Sequence, residues 1–343
     1  MEAELIPGLP DDMALECLLR LPFHDFASAR RVCKRWRREI TSLSFYNLRK
    51  AGGHARPLVA LAQFNFFPGP RRYHNLIIFD PTMGVWTRLP AVFNRSRDYR
   101  VAAVGHELVV LSGDEFVVTT VDVYNLLTGV GRRGATMPGP RRADFAFAAT
   151  AEARMAYVAG GFSAEERLQS ALAYDVAADA WVWLPDMARP RAVCRGIFVN
   201  GAFCVAGGQW SHDWTFETFN VAEGRWTTKQ VKLLEEALID SKIGVAAAEG
   251  RVYRCRWNGE VDVCSDAGGW QRLGVFSPDD LYWLFRRAPH LEAWNGGVML
   301  FGITAQAGLA ARILEEGKGR RVVVMPTELT TGDDVQFFCS FQL

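Results

Sequence analysis

Apolar residues recur at helical spacing near the start of the chain. Ala14, Leu18 and Leu21 fall on one face of a predicted helix, which Leu15 and Leu19 widen. Proline at position 22 ends this helix, and a second apolar series follows it at Phe26, Ala29, Val32, Cys33, Trp36 and Ile40. Segments below about 40 residues rarely bury so many large side chains against themselves. Part of this surface is therefore expected to contact either a partner protein or the domain that follows.

The same segment carries an ordered series of short motifs. A Leu-Pro pair opens it at residues 9–10, Asp11 follows as the expected cap of the first helix, and Val-Cys-x-x-Trp occupies residues 32–36. This order resembles an F-box, a helical module that in its family binds the Skp-type adaptor of a cullin-RING ubiquitin ligase. The resemblance implies adaptor contacts at Leu9, Pro10, Leu15, Leu18, Leu19, Pro22, Val32, Cys33 and Trp36, with the cullin and RING subunits reached through that adaptor.

Beyond Gly52-Gly53, short β-type runs alternate with turn residues in a repeat of roughly 45 residues. Trp181, Trp226 and Trp270 are 45 and 44 residues apart. Trp86 lies 95 residues before Trp181, which corresponds to two periods with a skipped position near Gly131. Trp86, Trp181 and Trp226 each end a stretch that contains an aromatic residue, a polar or acidic residue and a turn. Glycine pairs close the preceding strand at 160–161 and 207–208.

These repeats resemble kelch repeats, each of which forms one four-stranded blade of a β-propeller. Six apolar second strands can be counted, and they begin near Leu58, Leu108, Ala156, Ala202, Val252 and Val298. Apolar and polar residues alternate along 335–343, so this tail is expected to supply the missing first strand of the first blade. The predicted fold is a small all-α F-box module, residues 1–50, followed by an all-β six-bladed kelch β-propeller, residues 51–343, closed by the C-terminal strand.

An F-box followed by degenerate kelch repeats resembles the plant kelch-repeat F-box proteins. Members of that family are substrate receptors of SCF-type ubiquitin ligases, and the resemblance implies that this chain captures a protein substrate for ubiquitination and degradation. Several members target enzymes of phenylpropanoid or flavonoid synthesis, such as phenylalanine ammonia-lyase and chalcone synthase, or cytokinin response regulators. The residues do not choose among these substrates.

Composition argues against several classes of partner and site. The chain has 343 residues and a formal net charge of +1, so nothing marks it for nucleic acid or an anionic membrane. We expect no secretory signal and no membrane span, and we expect the protein in the cytoplasm or nucleus. Its seven cysteines include no Cys-x-x-Cys pair, and they are expected to be mostly buried thiols that bind no metal.

Loops that lead into the first strand of each blade, and loops that follow the second, are expected to meet at one face of the propeller. Arginine is in excess there, and guanidinium groups pair well with carboxylates, so the substrate is expected to present an acidic segment. The tryptophan-rich loop after the second glycine pair is expected to add an aromatic anchor. The predicted substrate-binding residues are Arg100, Arg142, Asp144, Arg191, Arg195, Trp210, His212, Lys242 and His290. The alternatives are solvated loop charges for the arginines and packing between blades for the tryptophans.

Two other functions remain open at this point. Some kelch-like propellers are oxidases or hydrolases, and these need a metal-binding or acid-base cluster at the channel. The six histidines show no paired spacing, and no acidic cluster lines the predicted mouth, so we expect a non-catalytic receptor without a cofactor. A scaffold that acts independently of a ligase is the remaining alternative.

Overall fold

The computed structural model describes residues 4–64, 74–90, 98–114, 117–150, 154–164, 166–207, 216–227, 244–248, 250–256, 258–265, 269–277, 290–294, 296–303, 309–326 and 334–343. Four helices come first: α1 (Asp11–Leu19), α2 (Phe26–Val32), α3 (Lys34–Ile40) and α4 (Leu43–Ala51), with one turn of 3-10 helix at Phe23–Asp25. Strands begin only after α4. This order agrees with the sequence, in which apolar residues at helical spacing are followed by short β-type runs.

The strands follow in chain order. They are β1 (Pro57–Phe64), β2 (His74–Asp80), β3 (Val85–Arg88), β4 (Asp98–Val104), β5 (Glu107–Asp114), β6 (Val117–Asn125), β7 (Val130–Arg133), β8 (Ala146–Thr150), β9 (Met155–Ala159), β10 (Ala171–Asp175), β11 (Ala180–Leu184) and β12 (Arg195–Val199). The remainder are β13 (Ala202–Ala206), β14 (Phe216–Asn220), β15 (Arg225–Thr227), β16 (Gly244–Ala248), β17 (Arg251–Cys255), β18 (Glu260–Ser265), β19 (Gln271–Val275), β20 (His290–Trp294), β21 (Gly297–Ile303), β22 (Leu309–Glu315), β23 (Gly319–Val324) and β24 (Asp334–Gln342).

These strands form six four-stranded antiparallel sheets, which are the six predicted blades. Blade 1 has the order β24-β1-β2-β3, and blades 2 to 6 each take four consecutive strands, from β4-β5-β6-β7 to β20-β21-β22-β23. The inner strands β24, β4, β8, β12, β16 and β20 contact one another in turn and close the ring. Leu58 faces Phe341 and Ala60 faces Cys339 across the β1–β24 pair, so the predicted closure by the C-terminal strand is confirmed.

The repeating tryptophans lie between neighbouring blades. Trp181 stands opposite Tyr174 and donates its indole N–H to the carbonyl oxygen of Ala135 at the end of blade 2, at 2.9 Å. The indole of Trp226 donates in the same way to the carbonyl oxygen of Pro185, at 2.6 Å. Trp86 stacks on Phe79 with ring centroids 4.0 Å apart and packs with apolar side chains of blade 6. These residues therefore hold neighbouring blades together.

In blades 1 to 4, the polar residue that ends the third strand caps the turn after it. The Oδ1 of Asp80 accepts the backbone N–H groups of Thr82 and Met83, at 2.9 and 3.0 Å. Asn125, Asp175 and Asn220 make the same pair of bonds in blades 2, 3 and 4. This Asx geometry explains why the repeat has an acidic or amide residue at this position.

The glycine pair at 160–161 permits close approach of two loops. Both residues have positive φ angles, 65° and 101°. A Cβ on Gly160 would lie 2.8 Å from the carbonyl oxygen of Arg191, and one on Gly161 would lie 2.7 Å from that of Ala143. Any side chain at either position would separate the loops that lead into blades 3 and 4.

Glu292 lies at the seam where the ring closes. Its Oε1 accepts the backbone N–H of Ser340 at 2.7 Å, which links β20 of blade 6 to β24 of blade 1. The surrounding protein raises the pKa of Glu292 from 4.5 to about 7. The carboxyl group therefore holds its proton to higher pH in the folded chain than in the unfolded chain.

This difference predicts how stability depends on pH. The contribution of Glu292 to the free energy of unfolding is present below about pH 4.5 and is lost as the pH rises to about 7. Glu292→Gln should flatten this part of the stability profile when urea unfolding is measured from pH 5 to pH 8. Glu223→Gln, on an exposed turn of blade 4, is the control and should leave the slope unchanged. Equal slopes for the wild type and Glu292→Gln would contradict the assignment.

Candidate functional site

The helical module packs directly on the propeller. Its buried apolar side chains, which include Leu18, Phe26 and Phe45, form one continuous cluster with residues of blades 1 and 2 such as Leu58 and Tyr124. Much of the apolar surface seen in the sequence is therefore satisfied inside this chain. Leu18 and Leu19, two of the predicted adaptor contacts, are only 1% and 6% exposed and belong to this core.

An interruption between helices α2 and α3 leaves two other predicted adaptor residues exposed. Cys33 has extended backbone angles, φ −156° and ψ 169°, and separates α2 from α3. Its Sγ accepts the backbone N–H of Trp36 at 3.4 Å, which caps α3. Val32, the last residue of α2, is 62% exposed, and Cys33 is exposed beside it. An apolar side chain and a thiol thus remain uncovered on the module's surface.

Asp11 was predicted to cap α1, but its side chain does not do so. Pro10 occupies the cap position, and the Oδ1 of Asp11 accepts the backbone N–H of Leu5 at 2.9 Å. Its other carboxylate oxygen pairs with Arg35, and these bonds lower the pKa of Asp11. Since Pro10 fixes the preceding backbone, the carboxylate is turned toward the N-terminal segment and α3.

The other predicted adaptor residues are half-buried or exposed. Trp36 is half-buried, and its indole N–H donates to the carbonyl oxygen of Leu5 at 2.6 Å. Leu9, Leu15 and Pro22 are also half-buried, and Pro10 is exposed. Met13, which the sequence did not single out, is 55% exposed on α1. It lies off the helix face that carries Ala14 and Leu18.

Arg49 of α4 connects the helical module, the linker and the closing strand. It is 1% exposed, and its guanidinium group lies over the rings of Phe26 and Phe45, at 5.1 and 5.8 Å from their centroids. The guanidinium N–H groups donate to four carbonyl oxygens, those of Leu19, Leu21, His54 and Leu343. Burial lowers the pKa of Arg49 to about 10, so it remains charged at neutral pH.

Arg142, a predicted substrate contact, is instead fully buried. Its guanidinium group donates to the carbonyl oxygens of Gly160 and Ser170, at 3.1 and 3.2 Å, and to the hydroxyl of Ser170 at 3.1 Å. Burial lowers the pKa of Arg142 to about 10. The expectation that it faces a partner is wrong, because its donors hold the loops of blade 3 together.

Arg191 and Arg100 are also held inside the propeller. Arg191 is 3% exposed, pairs with the buried carboxylate of Glu217 at 3.0 Å and donates to the carbonyl oxygen of Gly207 at 2.6 Å. Arg100 is 8% exposed, stacks over Phe145 and donates to its carbonyl oxygen at 2.7 Å. Arg142 and Arg191 each follow a proline-containing loop and bind the carbonyl of the first glycine after the second strand. This repetition was a sequence signal for a structural role.

Asp144 and Arg195, two further predicted substrate residues, have exposed side chains. Asp144 is bonded through its carbonyl oxygen to the backbone N–H of Cys194, at 3.0 Å, which brings the loops before β8 and β12 together. Its Oδ1 lies 3.8 Å from Nη2 of Arg100. Surrounding protein lowers the pKa of Arg195, which starts β12.

Two apolar side chains accompany these charges, and sequence reasoning missed both. Phe162 is 49% exposed and forms two backbone hydrogen bonds with Ala143, each 2.8 Å. Val193 is 56% exposed with a φ of 53°, a strained angle for a β-branched residue. We call the surface formed by Asp144, Phe162, Val193 and Arg195 the blade 3–4 rim. It combines an exposed aromatic ring, an aliphatic side chain and two opposite charges.

Four further predicted substrate residues receive no test. Trp210, His212 and Lys242 lie outside the described residues. His290 begins β20, and only its backbone is described.

Cysteine burial differs partly from expectation. Cys194, Cys204, Cys255 and Cys264 are buried, Cys339 is half-buried, and Cys17 and Cys33 are exposed. Cys33 is outward because of the break between α2 and α3. Within the described ranges, no group of three or more His, Cys, Asp or Glu side chains could hold a metal ion. No described helix is long and apolar enough to cross a membrane.

Comparison with known proteins agrees with this architecture. The F-box domain family matches residues 6–48, the segment that forms the four helices. The F-box/kelch-repeat protein At1g80440 of Arabidopsis thaliana is 35% identical over 299 residues, covering 81% of this chain and 83% of the relative. The chain belongs to the plant F-box/kelch-repeat proteins.

Other matches support the family and the fold. This F-box/kelch-repeat protein is also 36% identical over 277 residues to At1g15670 of Arabidopsis thaliana, with 74% of this chain and 77% of the relative covered. Among solved structures, TolB from Acinetobacter baumannii matches with a TM-score of 0.55 and 12% identity, over 82% of this chain and 66% of TolB. At that identity the similarity concerns the propeller fold alone.

The contacts of Arg49 with the helical module, the linker and the closing strand predict its effect on stability. Arg49→Leu should lower the free energy of unfolding by about 3 kcal/mol or more, because buried carbonyl groups lose their donors. Arg38→Leu, at an arginine side chain that is 59% exposed on α3, is the matched control and should change it by less than about 1 kcal/mol. Urea denaturation of the full-length chain measures both. A loss for Arg49→Leu no larger than that of the control would show that the junction is not a structural tie.

Proposed function

We propose that this F-box/kelch-repeat protein is a non-catalytic substrate receptor of an SCF-type ubiquitin ligase. The observation that carries the proposal is the F-box module packed through a continuous apolar core on a six-bladed propeller, with apolar surface left exposed on the module. Such a receptor accelerates ubiquitination by raising the effective concentration of the substrate near the charged conjugating enzyme. It would act in the cytoplasm or nucleus.

The proposed adaptor surface centres on the exposed residues of the motif. Val32 and Cys33 at the α2–α3 break and Pro10 before α1 present surface that the propeller does not cover. Leu9 and Trp36 support it from half-buried positions. Leu18 and Leu19 contribute by shaping the core beneath, since their side chains are inside. The Skp-type adaptor would cover this surface and connect the chain to the cullin and RING subunits.

The proposed substrate surface is the blade 3–4 rim. Phe162 and Val193 offer apolar contact, and Arg195 offers a charge for a carboxylate of the substrate. A substrate with an apolar anchor beside an acidic residue fits this combination. Enzymes of phenylpropanoid or flavonoid synthesis, such as phenylalanine ammonia-lyase and chalcone synthase, and cytokinin response regulators are the substrate classes we propose to test first.

Adaptor binding can be tested at Val32. Val32→Asp should abolish copurification with a Skp-type adaptor and leave the melting temperature within about 2 °C, because the side chain is 62% exposed and its removal opens no cavity. Val324→Asp, at a valine 56% exposed on β23 of blade 6, is the matched control and should bind the adaptor normally. Adaptor binding that survives Val32→Asp at full strength would refute the assigned surface.

Substrate capture can be tested at the rim. Proteins captured from a plant extract by the Val32→Asp variant, which would not deliver them for degradation, should bind about tenfold more weakly after Arg195→Glu or Phe162→Ala. Only the loss caused by Arg195→Glu should shrink at high salt, since salt screens charged contacts. Arg225→Glu, at an arginine 74% exposed at the start of β15 in blade 4, is the control. A partner that binds all variants equally would place recognition elsewhere on the propeller.

A further inference from the structure

A basic cavity lies at the junction between the helical module and blades 1 and 2. It encloses about 330 Å³ and is lined by Arg30 and Arg31 of α2, Arg37 of α3 and Arg88 of β3, together with His24. Arg30, Arg31 and Arg37 belong to the helical module and Arg88 to blade 1, so the docking of the module on the propeller brings these side chains to one cavity. Among the described residues that line the cavity there is no carboxylate, and Asp25, which does not line it, lies 3.7 Å from Nε2 of His24.

The position of Arg30 is fixed by the propeller. Its Nη1 donates to the carbonyl oxygen of Leu127 at 2.6 Å. Gly129 leaves room for it, because a Cβ there would lie 2.7 Å from Nη2 of Arg30. Burial, followed by repulsion from Arg37 and Arg31, lowers the pKa of Arg30. Positive charges are therefore held close enough to repel one another.

Binding of an anion stabilises such an arrangement. Like charges held together in a partly enclosed site repel unless a counter-charge is bound, and the protein wall weakens screening by water. Arg31 and Arg37 have exposed side chains at the rim and can turn toward a ligand. His24 also lines the cavity, and its Nδ1 is buried without a hydrogen-bond partner. Thr87 and Thr128 add hydroxyl groups to the lining.

We propose that this cavity is a binding site for a small molecule that carries several phosphate groups. Guanidinium groups bind phosphate oxygens with paired hydrogen bonds, and a cluster of arginines suits a multiply charged anion better than a single carboxylate. The volume falls at the lower end of the range for small-molecule sites. A ligand there contacts α2, α3 and blade 1 at once, so its binding stabilises the junction between the two domains.

The experiment uses the purified full-length chain and inorganic tripolyphosphate as the probe. Isothermal titration at 0.1 M NaCl should show saturable binding with one site per chain. The double variant Arg31→Gln/Arg37→Gln should weaken this binding about tenfold or more, because it removes two charge-assisted donors. The double variant Arg167→Gln/Arg189→Gln loses the same charge at exposed arginines of blade 3 and the following loop, and should bind as the wild type does.

Three further measurements decide the outcome. Tripolyphosphate should raise the melting temperatures of the wild type and of the control Arg167→Gln/Arg189→Gln more than that of Arg31→Gln/Arg37→Gln. Citrate, a tricarboxylate anion, should bind at least tenfold more weakly than tripolyphosphate, because the proposed site selects phosphate. Binding that is not saturable, that falls equally in both double variants, or that is stronger for an acidic or phosphorylated peptide than for tripolyphosphate would overturn the proposal.

Discussion

The antiparallel pairing of β24 with β1 is the constraint on which the rest of the structure depends. It joins the two ends of the propeller, so every blade has two neighbours and blade 1 is not left with an exposed inner edge. The last residue of the chain then forms two backbone hydrogen bonds with Arg56, at 2.9 and 3.1 Å. The carbonyl oxygen of Leu343 also accepts a guanidinium N–H of Arg49, at 3.1 Å. Ring closure thus fixes the F-box module at the same point.

This coupling has a functional consequence for a receptor. A module joined to the propeller only by a flexible linker would present a substrate at variable distance from the conjugating enzyme. Here the linker of 52–56 is short, and the buried cluster continues from the helices into blades 1 and 2. The geometry between the adaptor surface and the propeller is therefore set within the chain. Any ligand of the basic cavity would act on this same junction.

The fold followed from the sequence because its signals are local. Alternation along a strand and the turn that follows it depend on neighbouring residues, and each repeat carries these signals again, so they predicted six blades and the closing strand. The direction of each charged side chain depends on contacts far along the chain. Arg142 and Arg191 were expected to bind substrate, but they donate to carbonyl groups that lie 18 and 16 residues away. In the sequence, they differ from an exposed residue such as Arg195 only by their repeated position after a proline-containing loop in the two blades that carry a glycine pair.

The exposed part of the rim is shaped by the buried part. Asp144 and Val193 both have φ angles near 50°, which cost of order 1–3 kcal/mol each and persist only where the surrounding contacts enforce them. Cys194 supplies those contacts, since its backbone N–H and its buried Sγ both bond to the carbonyl oxygen of Asp144. The buried pair of Arg191 and Glu217 holds the next loop in the same way. Phe162, Val193 and Arg195 are thus presented by a fixed framework, and a partner that binds there pays little in lost loop entropy.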